Sequence, residues 1–328
     1  MRLSRLLPNF TLALLAVLLV ASVLPVRGQA AAAFGWATNL AIALLFFLHG
    51  ARLSRQTVLA GAAHWRLHLA VFGLTFVLFP VAGLALKPLL EPLVTPGLYA
   101  GVLFLCFLPS TVQSAIAFTS MAGGNVPAAV CSASASSLLG IFLTPLLAGL
   151  ALTHAGDVPV SFDSALKIVV QLLLPFVLGQ VLQPRIGGWA LRRKKLLALV
   201  DQGSILMVVY TAFSTAVNQG LWTHTPAPAL LALAAICIGL FALAVAGVQA
   251  AARLGGFGHA DRMTLLFCGS NKSLATGIPI AQMLFAGPAV GAIVLPLMMY
   301  HQIQLFACAL LAQRYAGRQA AAAPRSGS

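Results

Sequence analysis

The sequence has very little charge for its length. Only 5 of its 328 residues are Asp or Glu, and all charged residues together make up 7%. A soluble domain carries about 25% charged residues, so this chain cannot cover a water-soluble globule with polar side chains. Few acids also argue against an enzyme, because acid–base catalysis uses paired titratable groups. No HExxH or GxSxG motif lies at a membrane-accessible position.

The cysteines show no spacing that is typical of a metal site or a disulfide framework. None are spaced as CxxC, and all of them lie inside apolar runs, so we expect small, buried hydrophobic side chains. They are Cys106, Cys131, Cys237, Cys268 and Cys308. The sequence therefore predicts no resident cofactor.

Apolar runs are abundant, and 60% of the residues are hydrophobic. A helix needs about 20 apolar residues to cross a bilayer. Runs bounded by charge, proline or glycine predict an all-α membrane protein with ten transmembrane helices. The predicted spans are 9–26, 34–51, 67–86, 97–121, 126–150, 163–183, 197–218, 228–252, 263–285 and 288–313. The first is interpreted as a span, because it is longer than a signal-peptide h-region and ends in Pro25-Val26-Arg27.

The net charge of +14 does not indicate a nucleic-acid-binding protein, because the basic residues form short clusters between apolar runs. Such clusters are typical of cytoplasmic loops. With the N-terminus in the cytoplasm, fifteen Lys and Arg residues lie inside, three (Arg27, Lys87 and Lys167) lie outside, and the nineteenth is Lys272. We therefore predict a multi-pass protein of the cell (inner) membrane with both termini cytoplasmic.

Ten spans divide into two halves of five, and an odd number of spans in each half gives the halves opposite orientations. Inverted repeats of this kind build many secondary transporters. We predict one transporter domain at 1–316, with repeat 1 at about 9–150 and repeat 2 at about 163–313. The small and polar segment 317–328 is predicted to be a disordered cytoplasmic tail.

Two spans at matching positions of the halves are interrupted by polar residues. The fourth contains "LPSTVQSAIAF" and the ninth contains "CGSNKSLATGI". Proline and glycine at mid-span free backbone groups that lipid cannot satisfy, so unwound backbone is expected only inside protein or beside a wet cavity. Each unwound point exposes a half-helix N-terminus that attracts anions and a C-terminus whose carbonyls attract cations.

The interrupted segments supply most of the candidate substrate- or ion-binding residues. The candidates are Ser110, Thr111, Gln113, Ser114, Asn125, Ser132 and Ser134 in the first half, and Gly269, Ser270, Asn271, Lys272 and Ser273 in the second. For the serines of "SASASS" at 132–137, close packing between helices is an alternative of equal weight.

Lys272 lies near the middle of an apolar span. A lysine at the bilayer centre costs roughly 2.5–3.5 kcal/mol on insertion, whereas one near a helix end can reach the interface at little cost. Its depth indicates a function, or partners that offset the cost. Asp201 is the one acid near a span interior, and its expected role is to stabilise a helix N-terminus. We therefore expect Gln113, Asn271, serine hydroxyls and unwound carbonyls to hold the ammonium.

Two stretches resemble a known family. Residues 106–147, which begin "CFLPSTVQSAIAF", and residues 269–280, "GSNKSLATGIPI", are similar to regions of the bile acid:sodium symporter family, in its SBF-like branch. The resemblance implies ten helices in two inverted repeats, divided into a panel domain and a core domain. It also implies that the fourth and ninth helices are unwound and cross at mid-membrane.

The resemblance implies positions for the sodium ligands of the family, and this chain matches them poorly. A Ser-Asn pair falls on Ser114-Ala115, two hydroxyls of the next helix fall on Ala129 and Ala133, and no acid between Leu265 and Ser273 matches a glutamate. Hard cations need several oxygen ligands, and a carboxylate helps most. The ligands of that sodium arrangement are therefore mostly missing.

The leading hypothesis is a secondary transporter that moves a small organic anion, bile-acid-like or another carboxylate, by alternating access. Its support is the positive half-helix ends and Lys272, whose ammonium we expect to stand in the place of the family's cation and to tether the two broken helices. Because a buried lysine can release its proton, H⁺ coupling or uncoupled transport is the alternative to Na⁺ coupling. A cation transporter or channel, which would use the unwound carbonyls, is the second alternative.

Overall fold

The computed structural model describes residues 9–52, 64–153, 162–218, 220, 223, 226–285 and 289–322. Within these ranges the chain forms helices joined by short connections and contains no β-strand. Helices are the expected result of long apolar runs, because a helix pairs the backbone N–H and C=O groups within one segment, where lipid offers them no partner.

The helices of nine residues or more in the described part are numbered α1 to α12 in chain order. They are α1 (Asn9–Val23), α2 (Gly28–Arg52), α3 (Trp65–Ala85), α4 (Pro96–Phe107), α5 (Gln113–Met121), α6 (Val126–Thr153), α7 (Phe162–Arg192), α8 (Lys194–Asn218), α9 (Ala227–Leu254), α10 (His259–Ser270), α11 (Leu274–Leu284) and α12 (Ala289–Ala322). Short helical turns at Lys87–Leu90 and Glu91–Leu93 join α3 to α4.

Six of these helices, α2, α3, α6, α8, α9 and α12, are long and apolar enough to cross a bilayer. The predicted all-helical, multi-pass membrane protein is therefore confirmed for the described residues. Helix α1 has only 15 residues, and α4, α5, α10 and α11 have 9 to 12 each. The count of ten spans, the inverted repeats and the panel and core domains stay predictions.

Helices α2 and α7 approach each other at two glycines. Gly50 of α2 lies against the backbone carbonyl of Phe176, and Gly179 of α7 lies against the backbone carbonyl of Phe47. Small residues allow membrane helices to pack this closely. The contact fixes the C-terminal end of α2, which carries His49 and Arg52.

Helix α3 contains a π-helical turn at Leu74–Leu78. In this turn the N–H of Phe79 donates to the carbonyl of Leu74, and in a regular α-helix it would donate to Thr75. The next residue is Pro80, which has no N–H to donate. The carbonyl of Thr75 therefore lacks its usual donor within α3.

The helical C-terminal segment is longer than the sequence predicts. Helix α12 extends to Ala322, past the predicted start of the disordered tail at residue 317. Alanine, glutamine and arginine, which dominate 318–322, are all good helix formers. The rest of the predicted tail, 323–328, lies outside the described residues.

The close approach of α2 and α7 predicts that Gly50→Ala destabilises the protein. The added methyl group would meet the backbone carbonyl of Phe176, which cannot move aside as a side chain can, and overpacking of this kind costs about 1–3 kcal/mol. The melting temperature of the detergent-purified variant should fall clearly. Gly239→Ala is the matched control, because a methyl group there meets no atom within 4 Å among the described residues. Equal melting temperatures for the two variants would contradict the predicted role of Gly50.

Candidate functional site

Two interruptions of helical structure lie against each other. The chain is non-helical between α4 and α5, at 108–112, and between α10 and α11, at 271–273. The N–H of Ser273 donates to the carbonyl of Pro109 at 2.9 Å, which joins the two breaks directly. The sequence predicted a break near each of these positions, but Gly269 and Ser270 still belong to α10.

The carbonyls of the first break all have donors, although lipid could supply none. Thr144 Oγ1 donates to the carbonyl of Phe107 at 2.8 Å, and Ser137 Oγ donates to that of Ser110 at 3.3 Å. Ser136 Oγ accepts the N–H of Ser110 at 3.0 Å. Helix α6 therefore supplies side chains that replace the hydrogen bonds lost where the helix unwinds.

The second break is held by polar side chains of α12. Gln304 accepts the N–H of Lys272 at 2.8 Å and donates to its carbonyl at 2.9 Å, as a neighbouring peptide group would. The hydroxyl of Tyr300 donates to the carbonyl of Ser270 at 2.7 Å, and the thiol of Cys308 donates to Asn271 Oδ1 at 3.1 Å. These contacts give the unwound backbone one fixed conformation.

The ammonium of Lys272 connects the second break to the first. It is fully buried, and its Nζ donates to the carbonyls of Thr75 at 2.9 Å, Cys106 at 3.0 Å and Leu108 at 2.8 Å. Three donors thus meet three acceptors, and the ring of Phe79 lies 4.0 Å from Nζ in a cation–π contact.

The three carbonyls are available to Lys272 for specific reasons. Thr75 lacks its donor within α3 because of the π-helical turn and Pro80. Cys106 and Leu108 stand at the end of α4, where the last carbonyls of a helix have no partner in that helix. The ammonium therefore bonds to one unwound carbonyl, that of Leu108, as expected, and to two carbonyls within helices. Gln113, Asn271 and serine hydroxyls do not hold it.

A small cavity of about 60 Å³ lies on another side of the two breaks. Its walls come from α2, α8, α6 and both breaks, and its lining residues are Leu45, His49, Thr111, Val112, Gln113, Ser137, Asp201, Ile205, Ser273, Ala275 and Thr276. Gln113 at the start of α5 and Ala275 and Thr276 in the first turn of α11 are among them, so two half-helix N-termini border the same cavity. Lys272 is not part of this lining.

The two helix N-termini differ in their capping. Ser273 Oγ accepts the N–H of Thr276 at 3.2 Å and so caps one free donor of α11. The N-terminus of α5 has no capping side chain within the described part of the chain. Its first N–H groups carry the positive end of the helix dipole, and such termini favour anions.

Some of the predicted site residues line the cavity, and others are buried within the joined breaks. Thr111, Gln113 and Ser273 line the cavity. Ser114 lies half-buried in the first turn of α5, and its hydroxyl has no partner among the residues described. Ser110, Asn271 and Lys272 are buried within the joined breaks.

The remaining predicted residues have structural contacts elsewhere. Asn125 Oδ1 accepts the N–H of Ala128, and its amide donates to Asp261 at 3.0 Å, so Asn125 ties α6 to the start of α10. Ser132 Oγ lies 2.6 Å from His68 Nδ1, and Ser134 is half-buried. Gly269 packs against Leu74 of the π-helical turn.

Asp201 does not have the helix-terminal role expected from the sequence. Helix α8 begins at Lys194, so Asp201 lies two turns inside it, where the helix dipole gives a negative charge little stabilisation. Its carboxylate instead forms an ion pair with Arg52 of α2. Both Asp201 and the neighbouring His49 face the cavity.

Several residues of this site were missed from the sequence. Pro80 is a detectable signal, because it is a proline inside a predicted span. Thr75 carries no signal of its own, because its free carbonyl depends on the π-helical turn. Gln304, by contrast, stands out in the sequence as a polar residue within an apolar span, and the serines at 136 and 137 belong to the "SASASS" segment already considered for the site.

Comparison with known proteins gives consistent matches along the chain. Residues 8–317 match the family described as the SBF-like CPA transporter family. The chain is 61% identical over 311 residues to an uncharacterized protein of Pseudomonas aeruginosa, with 95% of this chain and 93% of that protein covered. It is 55% identical over 316 residues to the Escherichia coli protein named "Putative symporter YfeH", with 96% and 95% covered. Mouse "Sodium/bile acid cotransporter 7" is 30% identical over 270 residues, with 81% and 79% covered.

The contacts of Lys272 predict that Lys272→Met destabilises the protein severely. The substitution leaves three buried carbonyls without donors, and each buried unsatisfied group costs about 1–3 kcal/mol. A thermal unfolding experiment in detergent should show a loss of many degrees. Lys87→Met is the control, because that side chain is 41% exposed and should tolerate the change. A Lys272→Met protein as stable as wild type would show that the ammonium does not hold the breaks together.

Proposed function

Because the chain belongs to the SBF-like CPA transporter family, it is a membrane transporter with a small-molecule substrate, and we propose that it is a secondary transporter of a small organic anion. This family and the named relatives are transporters, not enzymes. The substrate class that we propose is a carboxylate, bile-acid-like or smaller. Transport proceeds by alternating access.

The observation that carries this proposal is the cavity bordered by two half-helix N-termini. Residues of the first turns of both α5 and α11 line it, and each helix end presents N–H groups and a positive dipole. In secondary transporters with broken helices, such ends bind anionic groups of the substrate. Thr111, Gln113 and Thr276 add side chains that can donate hydrogen bonds to a carboxylate.

The carbonyl ends of the same breaks support an anion rather than a cation as the substrate. Lys272, Thr144, Ser137 and the N–H of Ser273 already donate to them. A cation transporter or channel would need some of these carbonyls free. At the first break, where these bonds lie, the positive end and not the carbonyl end is therefore available to cargo.

We propose the wider architecture on the similarity of the two interrupted regions. Before each break stands a helix of 12 residues, α4 or α10, and after it a helix of 9 or 11 residues, α5 or α11. Two inverted five-helix repeats with a panel and a core domain would produce this correspondence. Both termini are then cytoplasmic, in the inner membrane, as the positive-inside rule indicates.

The coupling ion is proposed from the chemistry of the site. One relative is named a sodium/bile acid cotransporter, which makes Na⁺ a candidate. The positions where the resemblance places sodium ligands include Ala115, Ala129 and Ala133, whose side chains are fully buried and carry no oxygen. We propose that Lys272 serves as a fixed positive charge in this chain and that sodium is not required.

The proposal predicts saturable uptake of radiolabelled taurocholate or benzoate into proteoliposomes that contain the purified protein. Replacing Na⁺ by choline should leave the rate within about twofold of its original value, because sodium ligands are lacking. Non-saturating uptake would indicate a channel. A lack of uptake of both probes would count against the proposed substrate class.

Filling the cavity tests its role directly. Ala275→Phe places a ring in a space of about 60 Å³ and should reduce uptake at least tenfold while the protein stays folded. Ala235→Phe on the exposed face of α9 is the matched control and should transport normally. Normal uptake by the Ala275→Phe variant would show that the cavity is not part of the substrate path.

A further inference from the structure

The ion pair of Arg52 and Asp201 joins α2 to α8 beside the cavity. Asp201 is only 3% exposed. Apart from histidines, the buried charged residues in the described part of the chain are Asp201 and Lys272. Buried charges within a membrane protein mark functional positions by default, because the bilayer makes them costly.

The two charges differ in how completely their neighbours satisfy them. All three donors of Lys272 have carbonyl acceptors. By contrast, Asp201 Oδ1 and Arg52 Nη2 are buried without hydrogen-bond partners among the described residues. An Arg–carboxylate pair commonly forms two parallel hydrogen bonds, and this one forms a single bond between Nη1 and Oδ2. Each residue of the pair thus has one polar atom that could form a further hydrogen bond.

Asp201 lines the cavity at the N-termini of α5 and α11, and its Oδ1 has no hydrogen-bond partner among the described residues. An anion in this cavity would stand beside Asp201, which lines the cavity and would repel it. Arg52 lies behind Asp201, to which it is bonded, and its positive charge would attract the anion. Arg52 cannot lose its proton, whereas a carboxylate can gain one. The carboxylate and an anionic substrate would therefore compete for one guanidinium.

We propose that Asp201 is the proton-binding residue that couples transport to H⁺, an inference that rests on the proposed function. When a proton from cavity water binds the carboxylate, the ion pair breaks and the charge of Arg52 becomes available to the substrate anion. Proton and anion then bind together and are carried together. When the anion leaves, Asp201 releases its proton to water and pairs with Arg52 again.

The surroundings of Asp201 contain few other titratable groups. On α2, His49 stands close enough for the charges of Asp201 and Arg52 to act on it, and its Nδ1 bonds to the carbonyl of Leu45 at 2.8 Å. Helices α1 and α11, which contact α8, carry no titratable side chain over their described lengths. On α12, His301 is bonded to Gln304, and on α7 the side chain of Arg192 is exposed.

Binding linkage sets the sign of the pH dependence. At high pH the ionised carboxylate occupies Arg52 and opposes the anion, and at low pH the protonated carboxyl releases Arg52 and favours the anion. With one proton taken up for each anion, we expect the dissociation constant of the anion to fall about tenfold for each pH unit of acidification.

The transport test uses proteoliposomes of Escherichia coli lipid that contain an internal pH dye and receive tritiated taurocholate outside. Wild-type protein should bring in about one proton per anion, and an inward proton gradient should accelerate uptake. Asp201→Asn keeps Arg52 permanently free, so the variant should bind taurocholate at every pH but move no protons. Asp201→Glu should keep proton movement, and Arg52→Gln should weaken binding at least tenfold.

The second measurement detects protonation of the Asp201 carboxylate in the absence of substrate. Infrared difference spectra of purified protein on acidification should show the carbonyl stretch of a newly protonated carboxyl group, and Asp201→Asn should lack it. The double variant Arg52→Gln/Asp201→Asn controls for folding, because it removes both charges together and leaves none unpaired.

The outcomes separate this inference from the proposed function. Taurocholate uptake by wild type without proton movement would overturn the coupling role of Asp201 and leave the anion transporter intact. If wild type takes up no taurocholate, benzoate uptake decides the proposed substrate class and the infrared spectrum decides the role of Asp201. A spectrum unchanged by Asp201→Asn then overturns the proposal, and loss of the band supports it.

Discussion

A single ammonium bonded to three backbone carbonyls fixes the arrangement of two helix breaks. Lys272 belongs to the second break, and two of its acceptors, Cys106 and Leu108, belong to the end of α4 at the first break. The third, Thr75, belongs to α3, where a π-helical turn and a proline remove its usual donor. A charge that would be costly in lipid is stabilised here because every one of its donors meets a carbonyl.

This contact also determines which backbone groups of the broken helices already have hydrogen-bond partners. The ammonium and the side chains of α6 satisfy the carbonyls of the first break, and Gln304 satisfies the peptide at the second. The N-termini of α5 and α11 border the cavity on another side. This separation of the two polarities is the basis of the proposed anion site. The ion pair of Arg52 and Asp201, in which one oxygen and one nitrogen have no partner among the described residues, lies beside it.

The sequence predicted those parts of this arrangement that depend on local composition. Apolar runs predicted helices, proline and glycine in "LPSTVQ" and "CGSNKS" predicted breaks near their observed positions, and the cysteines proved to be buried as expected. The partners were not predictable in this way. Thr75 and Lys272 are 197 residues apart in the chain, and Arg52 and Asp201 are 149 apart. Helical periodicity carries no information about such pairings, and the acceptor on Thr75 exists only because the helix adopts a π-helical turn.

The most direct test of the central claim is an experimental structure of the protein in lipid nanodiscs with a bound brominated carboxylate such as 4-bromobenzoate. Our account predicts interrupted helices at 108–112 and 271–273, the ammonium of Lys272 on the carbonyls of Thr75, Cys106 and Leu108, and the ligand's carboxylate at the N-termini of α5 and α11. Continuous helices through these positions, or a bromine signal away from the cavity, would contradict it.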